Sequence, residues 1–117
     1  MKYFVLLAGY GEMPDWDTLT PEEQELGMAQ HVAFDEACAT RPGVEIVSAE
    51  ALGDGTSATT LRTRAGEMTV TDGPFAEAAE QIGGYYLIDA PDLDTVIELC
   101  RILPDYDIDI RPVIDVG

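Results

Sequence analysis

Residues 83–113 read GGYYLIDAPDLDTVIELCRILPDYDIDIRPV, and this stretch predicts a strand, a helix and a second strand in succession. The run 83–88 is short, apolar and aromatic, which is typical of a buried strand. Asp92 is a suitable N-cap for a helix that ends at Pro104. Residues 107–113 alternate Ile with Asp and Arg, which predicts a strand with one covered face and one wet face.

The first half of the chain predicts the same order of elements. Residues 3–8 favour a central strand over a signal peptide, because the apolar stretch is short and lacks a convincing cleavage site. Thr20-Pro21-Glu22-Glu23 is a capping-box start for a helix that stops at Arg41-Pro42-Gly43. The predicted buried stripe of this helix contains Leu26, Ala29, Val32 or Ala33, Phe34, Ala37 and Cys38. Residues 44–52 then alternate as a strand does.

A predicted β-hairpin, residues 58–72, separates these two units, followed by barely two helical turns over residues 76–82. The Gly83-Gly84 pair predicts a β-bulge or a close backbone approach. The complete order predicts one α+β domain over residues 1–117, with a ferredoxin-like antiparallel sheet, an inserted hairpin and two helices on one face. Because the helices cover only that face, we expect a second copy to cover the other in a homodimer.

The charge of the chain excludes some partners. Six Lys and Arg residues stand against 23 Asp and Glu residues, so the net charge is −17. Such a surface repels nucleic acid and anionic membranes, and no apolar run is long enough to span a bilayer. Cys38 and Cys100 have no CxxC spacing, which favours buried reduced thiols and a cytoplasmic location.

Residues 71–86 read TDGPFAEAAEQIGGYY, which resembles the YCII-related proteins in the branch named for its Asp-Gly-Pro-Phe signature. The similarity extends from Met1-Lys2-Tyr3 to Ile110-Arg111-Pro112-Val113. It implies a dimeric α/β barrel fold, a cleft between sheet and helices, and a frequent link to extracytoplasmic-function sigma factors. It implies no established reaction. Relatives usually have Thr-Lys where this chain has Ala78-Ala79, so any role of that lysine is absent here.

Two side chains are the candidates for catalysis. Asp72 enters a Gly-Pro turn, where its carboxylate either fixes the turn or projects into a cleft. His31 is the only histidine and titrates near neutrality when unperturbed. We expect the two to form a carboxylate-oriented general base, with a partly exposed or hydrogen-bonded structural histidine as the alternative.

Five further residues are candidates for ligand binding. Arg62 and Arg64 alternate along a predicted strand, so they form either an anion clamp or surface ion pairs. Glu77 and Glu80 share one face of a short helix, where they either support acid–base chemistry, hold a cation or are simply solvated. Tyr85 closes the signature. No cofactor and no metal is predicted, because the chain has one His, no paired His/Cys spacing and no GxGxxG run.

Two hypotheses of function follow from these residues. In the first, a small cytoplasmic homodimer binds a small organic molecule in a cleft and transfers protons with His31 and Asp72. In the second, the protein is a binding or regulatory module without catalysis, whose acidic surface meets a protein partner such as a sigma factor. The sequence leaves open whether the protein is an enzyme.

Overall fold

The computed structural model describes residues 1–9, 16–53, 57–73 and 82–116. Within them a single turn of 3-10 helix, Trp16–Thr18, precedes the first long helix. The other elements are β1 (Lys2–Ala8), α1 (Pro21–Thr40), β2 (Glu45–Ala51), β3 (Thr59–Arg64), β4 (Glu67–Asp72), β5 (Ile82–Asp89), α2 (Leu93–Cys100) and β6 (Asp107–Pro112). The short helix predicted over residues 76–82 lies outside the described residues, except for Ile82, which begins β5.

Four strands form one sheet in the order β2-β5-β1-β6, and every neighbouring pair is antiparallel. β1 and β2 are therefore parallel, with β5 between them. β5 and β6 are likewise parallel, with β1 between them. Each helix thus links two parallel strands that are not neighbours, which is the split β-α-β arrangement. In the described part of one chain the sheet is open, so the barrel implied by the family resemblance is not formed by a single copy.

The helix starts are confirmed in atomic detail. The Thr20 hydroxyl accepts a bond from the Glu23 N–H at 3.2 Å, and the Glu23 carboxylate accepts one from the Thr20 N–H at 3.0 Å. The bond from the Thr20 N–H favours the charged carboxylate and lowers the pKa of Glu23, and the Thr20 side chain lowers it further. Asp92 caps α2 by accepting a bond from the Thr95 N–H at 2.8 Å. α2 ends at Cys100 rather than at Pro104, because the backbone bonds of residues 101–103 reach back three residues instead of four.

The core lies between the helices and one face of the sheet. It contains Tyr3, Val5, Leu7, Phe34, Cys38, Tyr86, Ile88, Ala90, Val96, Leu99, Cys100 and Leu103. The prediction for α1 is wrong for Leu26, Ala29, Val32 and Ala33, which are exposed. Phe34 and Cys38 are buried as predicted, and Gly27, which lies outside the predicted stripe, is buried beside them. Apolar residues surround α1 on nearly all sides, so their spacing could not select which side faces the sheet.

The β3–β4 hairpin forms a separate two-stranded sheet. Its turn is Ala65-Gly66, as predicted, with φ of 52° and 80° at the two residues. Positive φ at both central positions is the geometry of a type I′ turn, whose twist matches that of the flanking strands. The Cα radius of gyration of the chain is 16.3 Å, against about 13 Å for a compact domain of this length.

The net charge of −17 predicts that salt stabilises the fold. Like charges crowded on one small surface repel each other, and added salt screens them over a Debye length of about 10 Å at 0.1 M. We expect the melting temperature to rise when NaCl is raised from 0.02 to 0.3 M. Differential scanning fluorimetry at constant pH measures this rise, and a flat or falling melting temperature would contradict the prediction.

Candidate functional site

His31 bridges two tyrosines. Its Nδ1 lies 2.7 Å from the hydroxyl oxygen of Tyr86, and its Nε2 lies 2.9 Å from that of Tyr106. The imidazole and Tyr86 rings are nearly parallel, at 20°, and the Tyr106 ring is tilted by 55°. Both ring nitrogens are therefore engaged by phenol hydroxyls, and we call these three residues the His31 cluster.

Three elements bring the cluster together. His31 lies midway along α1 beside the buried face, where Phe34 packs its ring 4.6 Å from that of Tyr86. Tyr86 belongs to the helix-facing side of β5 and is buried. Tyr106 lies directly before β6, in a tight turn in which its N–H donates to the Pro104 carbonyl. The cluster thus joins the first helix, the centre of the sheet and the entrance to the last strand.

The cluster is electrically neutral at physiological pH. Burial lowers the pKa of His31, and the negative charge of Asp35 opposes this only in part. Burial raises the pKa of Tyr86 and of Tyr106, and Asp35 raises that of Tyr86 further. A neutral imidazole has one N–H donor and one acceptor nitrogen, so one tyrosine donates to the ring and the other accepts from it. The arrangement is a directional hydrogen-bond chain that a change of tautomer reverses.

Burial of His31 also connects the cluster to stability. A histidine with a lowered pKa binds its proton less readily in the folded than in the unfolded chain. The stabilisation of the folded state by neutral His31 is therefore fully present above pH 6.5, its pKa in the unfolded chain. This stabilisation is lost as the pH falls toward the lowered pKa of the folded chain.

Asp72 belongs to the β3–β4 hairpin and not to the elements that carry the His31 cluster. It is the last residue of β4, exposed, and opposite Thr59 in the hairpin register. The adjoining turn is held by the Gly73 N–H, which donates to the Ala58 carbonyl, and by the Thr60 hydroxyl, which donates to the Gly73 carbonyl. Among the described residues no hydrogen bond joins Asp72 to His31. The pairing of these two side chains stays a prediction.

The other candidates lie elsewhere. Arg62 and Arg64 share one face of β3. This strand lines an open depression of about 340 Å³. Arg64 stands opposite Glu67 in the hairpin register. Tyr85 is on the sheet face opposite the His31 cluster, where its ring stacks on Phe4 and its hydroxyl lies 2.9 Å from the Ser48 hydroxyl. Glu77 and Glu80 lie outside the described residues.

Tyr86 and Tyr106 are not among the site residues predicted from the sequence. Strand alternation could have identified Tyr86, because it puts Tyr86 and Tyr85 on opposite sheet faces and turns Tyr86 toward the helices. No sequence pattern could have identified Tyr106, because the path of residues 101–106 depends on the packing of α2.

The two cysteines are free and buried, as predicted. Burial raises the pKa of both the Cys38 and the Cys100 thiol to about 11, so thiolate is scarce at neutral pH. Neither residue is therefore a candidate nucleophile.

In the described part of the chain, no helix combines the length and the apolar character that crossing a membrane requires. An uncharacterized protein of Rhizobium meliloti is 54% identical over 46 residues, a match that covers 39% of this chain and 37% of that protein. The family model of the YCII-related domain matches residues 1–116. Because that match spans nearly the whole sequence, the chain belongs to the YCII-related domain family.

Proposed function

We propose that the protein binds a small uncharged polar molecule at the His31 cluster and transfers a proton to or from it. The observation that carries this proposal is the engagement of both ring nitrogens of a half-buried, neutral histidine by two tyrosine hydroxyls. A neutral imidazole is a base of suitable strength near pH 7, and a hydroxyl bonded to it can pass a proton between ligand and ring.

The raised tyrosine pKa values favour one direction of transfer. A ligand proton passes to the Tyr106 oxygen while the hydroxyl proton of Tyr106 moves to Nε2 of His31. The imidazolium that forms donates its Nδ1–H to Tyr86, and Asp35 stabilises the new positive charge. The opposite course would leave a tyrosinate at Tyr86, which its raised pKa disfavours. The low proton affinity of His31 then returns the proton readily.

The charges around the cluster indicate the class of ligand. In the described part of the chain, the charged side chain that acts on both His31 and Tyr86 is Asp35. An anionic ligand would meet this negative charge, and no cation among the described residues is shown acting on His31 to compensate it. A carbonyl or hydroxyl group, in contrast, can accept or donate a hydrogen bond here. Carbonyl compounds with an acidic α-hydrogen therefore suit the site best.

We extend the proposal to a cytoplasmic homodimer of the branch with the Asp-Gly-Pro-Phe signature. The helices pack on one face of the sheet, which supports a second copy on the other. The free, buried cysteines support a reducing compartment. A binding module without catalysis, meeting a protein such as a sigma factor through the acidic surface, is the alternative function.

Exchange of α-hydrogens in D₂O tests the proton transfer. We expect the protein to accelerate exchange of at least one compound from a panel of uncharged ketones and lactones, followed by proton NMR. Tyr106→Phe and His31→Gln should each slow that exchange about 100-fold, the usual contribution of a positioned acid–base group. Tyr85→Phe is the matched control, because this tyrosine lies on the opposite sheet face, and it should exchange at the wild-type rate.

The same assay separates the competing hypotheses. If Asp72→Asn abolishes exchange and Tyr106→Phe does not, the carboxylate-oriented histidine is correct and the tyrosine chain is not.

Titration of the single histidine by NMR is the second readout: Asp35→Asn should lower the His31 pKa, because it removes a nearby negative charge. Binding without exchange of any compound would favour the non-catalytic module.

A further inference from the structure

The register of the β3–β4 hairpin gathers polar and charged side chains on one of its two faces. Side chains two positions apart on a strand share a face, as do those directly opposite on the partner strand. This face therefore carries Thr60, Arg62 and Arg64 of β3 and Glu67, Thr69 and Thr71 of β4. We call these six residues the arginine face. Both arginines line the open depression of about 340 Å³, a volume in the range of about 300–1,000 Å³ typical of small-molecule sites.

Hydrogen bonds hold the backbone of the arginine face in a fixed shape. Across the hairpin, the Thr69 hydroxyl donates to the Arg62 carbonyl. The Thr71 hydroxyl donates to the Thr60 carbonyl, and the Thr60 hydroxyl donates in turn to the carbonyl of Gly73, in the turn after β4. The strands beneath the two arginines are therefore ordered before a ligand arrives. A ligand would have to order only the two guanidinium-bearing side chains, which keeps the entropic cost of binding small.

The arginine face is positive on a strongly negative molecule. The chain has six Lys and Arg residues against 23 Asp and Glu residues, and two of the six stand here, two positions apart. Elsewhere, Arg41 is paired with Glu98 at 3.1 Å, and Arg111 is paired with Asp109 at 2.9 Å. On the arginine face two arginines stand against one carboxylate, that of Glu67, which leaves a net charge of +1. A small anion is attracted to such a patch, whereas the acidic surroundings repel an anion that extends past it.

The guanidinium of Arg64 has donors available for a ligand. Although Arg64 stands opposite Glu67 in the register, its Nη1 donates to the carbonyl oxygen of Thr63, at 3.0 Å. Among the residues that the structure describes, no carboxylate forms an ion pair with this guanidinium. A guanidinium carries several N–H donors in a planar fork. Arg64 can therefore bind an anion without first breaking an ion pair.

Two neighbouring guanidinium groups suit a phosphate group better than a carboxylate. Strand residues two positions apart are separated by about 6.7 Å, so both side chains can reach one anion. A terminal phosphate has three strong acceptor oxygens and a charge of about −1.5 to −2 at pH 7, so it can engage both forks and balance both positive charges. A carboxylate has two oxygens and one charge, which a single arginine satisfies. A polyanion such as nucleic acid would extend onto the acidic surface, which repels it.

We infer that Arg62 and Arg64 together bind one dianionic phosphate group, supplied by a phosphomonoester or by inorganic phosphate. Each guanidinium donates to the phosphate oxygens, and the carboxylate of Glu67 weakens binding by repulsion. This site belongs to the two-stranded sheet of the hairpin, whereas the proposed proton transfer takes place between α1 and the four-stranded sheet. The inference therefore does not depend on the proposed function.

NMR spectroscopy of the arginine Nε–H groups tests the inference. Inorganic phosphate, glycerol 3-phosphate and malonate are titrated separately into the protein at constant pH and ionic strength. We expect saturable shifts of the Arg62 and Arg64 signals with both phosphate compounds, and weaker binding of malonate. A lower Kd for glycerol 3-phosphate identifies an ester as the source of the phosphate group, and an equal or higher one identifies free phosphate. Shifts that do not saturate, or tighter binding of malonate, overturn the inference.

Substitutions provide the second readout. Arg62→Gln and Arg64→Gln should each raise the Kd for phosphate at least about 10-fold, because charge-assisted hydrogen bonds are lost. Arg101→Gln is the matched control: it removes the same charge from an exposed residue at the end of α2 and should leave the Kd within about twofold of wild type.

Glu67→Gln should lower the Kd about threefold, because it removes the repulsion between exposed charges on the arginine face. Such a gain in affinity cannot come from a misfolded hairpin, so this variant keeps the test valid if the arginine variants unfold. An unchanged Kd in Arg62→Gln and Arg64→Gln, or an equal rise in Arg101→Gln, overturns the inference.

Discussion

Phe34→Ala should destabilise the protein by about 3–5 kcal/mol. Phe34 is completely buried in α1, and its ring packs on that of Tyr86. Removing the ring loses its transfer free energy and leaves a cavity between helix and sheet, which surrounding side chains fill only in part. Urea unfolding followed by circular dichroism measures the change in the free energy of unfolding. Because Tyr86 is bonded to His31, the same variant should also change the NMR titration of that histidine.

Leu26→Ala is the matched control for this prediction. Both residues belong to the stripe that the spacing in α1 predicts to be buried, but Leu26 is 63% exposed in the structure. Its replacement should change stability by no more than about 0.5 kcal/mol, because Ala is a strong helix former and little apolar surface is lost. Equal losses for Leu26→Ala and Phe34→Ala would mean that α1 faces the sheet with a different side. Phe34→Leu, which keeps most of the volume, serves if the Ala variant does not fold.

Gly84→Ala should destabilise the protein by about 1–3 kcal/mol. A Cβ atom at this position would lie 2.9 Å from the carbonyl oxygen of Glu50 in the neighbouring strand. Real Cβ atoms do not approach backbone oxygens so closely, so β2 and β5 would have to separate where they pair. The backbone cannot move aside as a flexible side chain can, so hydrogen bonds between β2 and β5 are weakened and the protein loses stability. Urea unfolding provides the measurement.

Gly83→Ala controls for the loss of a glycine in the same strand. Gly83 is the extra residue of a β-bulge, because Leu7 pairs with Gly84 while Ala8 pairs with Ile82. A Cβ at Gly83 meets no atom within 4 Å, so the replacement should be nearly neutral or slightly stabilising. A loss at Gly83 as large as at Gly84 would show that the bulge, and not the close approach, requires glycine. Gly83 thus provides the predicted β-bulge, and Gly84 provides the predicted close backbone approach.

The candidate site was only partly predictable. His31 was identifiable because it is the single histidine and lies beside apolar residues in a well-capped helix. Its expected partner, Asp72, was chosen from its place in a signature turn, whereas the structure places Tyr86 and Tyr106 at the two ring nitrogens. These tyrosines are 55 and 75 residues away in sequence, so only the folded sheet brings them to His31.

The local elements of this protein were determined by the sequence alone. The capping box at Thr20, the cap at Asp92, the Ala65-Gly66 turn and the alternation over residues 107–112 depend on neighbours within a few residues. Tertiary structure alone decided which side of α1 is buried, since apolar residues surround that helix and only packing against β1 and β5 selects Phe34 over Leu26. It also decided the environment of His31, because hydrogen bonds between distant segments and the desolvation of a side chain arise only when layers of structure meet.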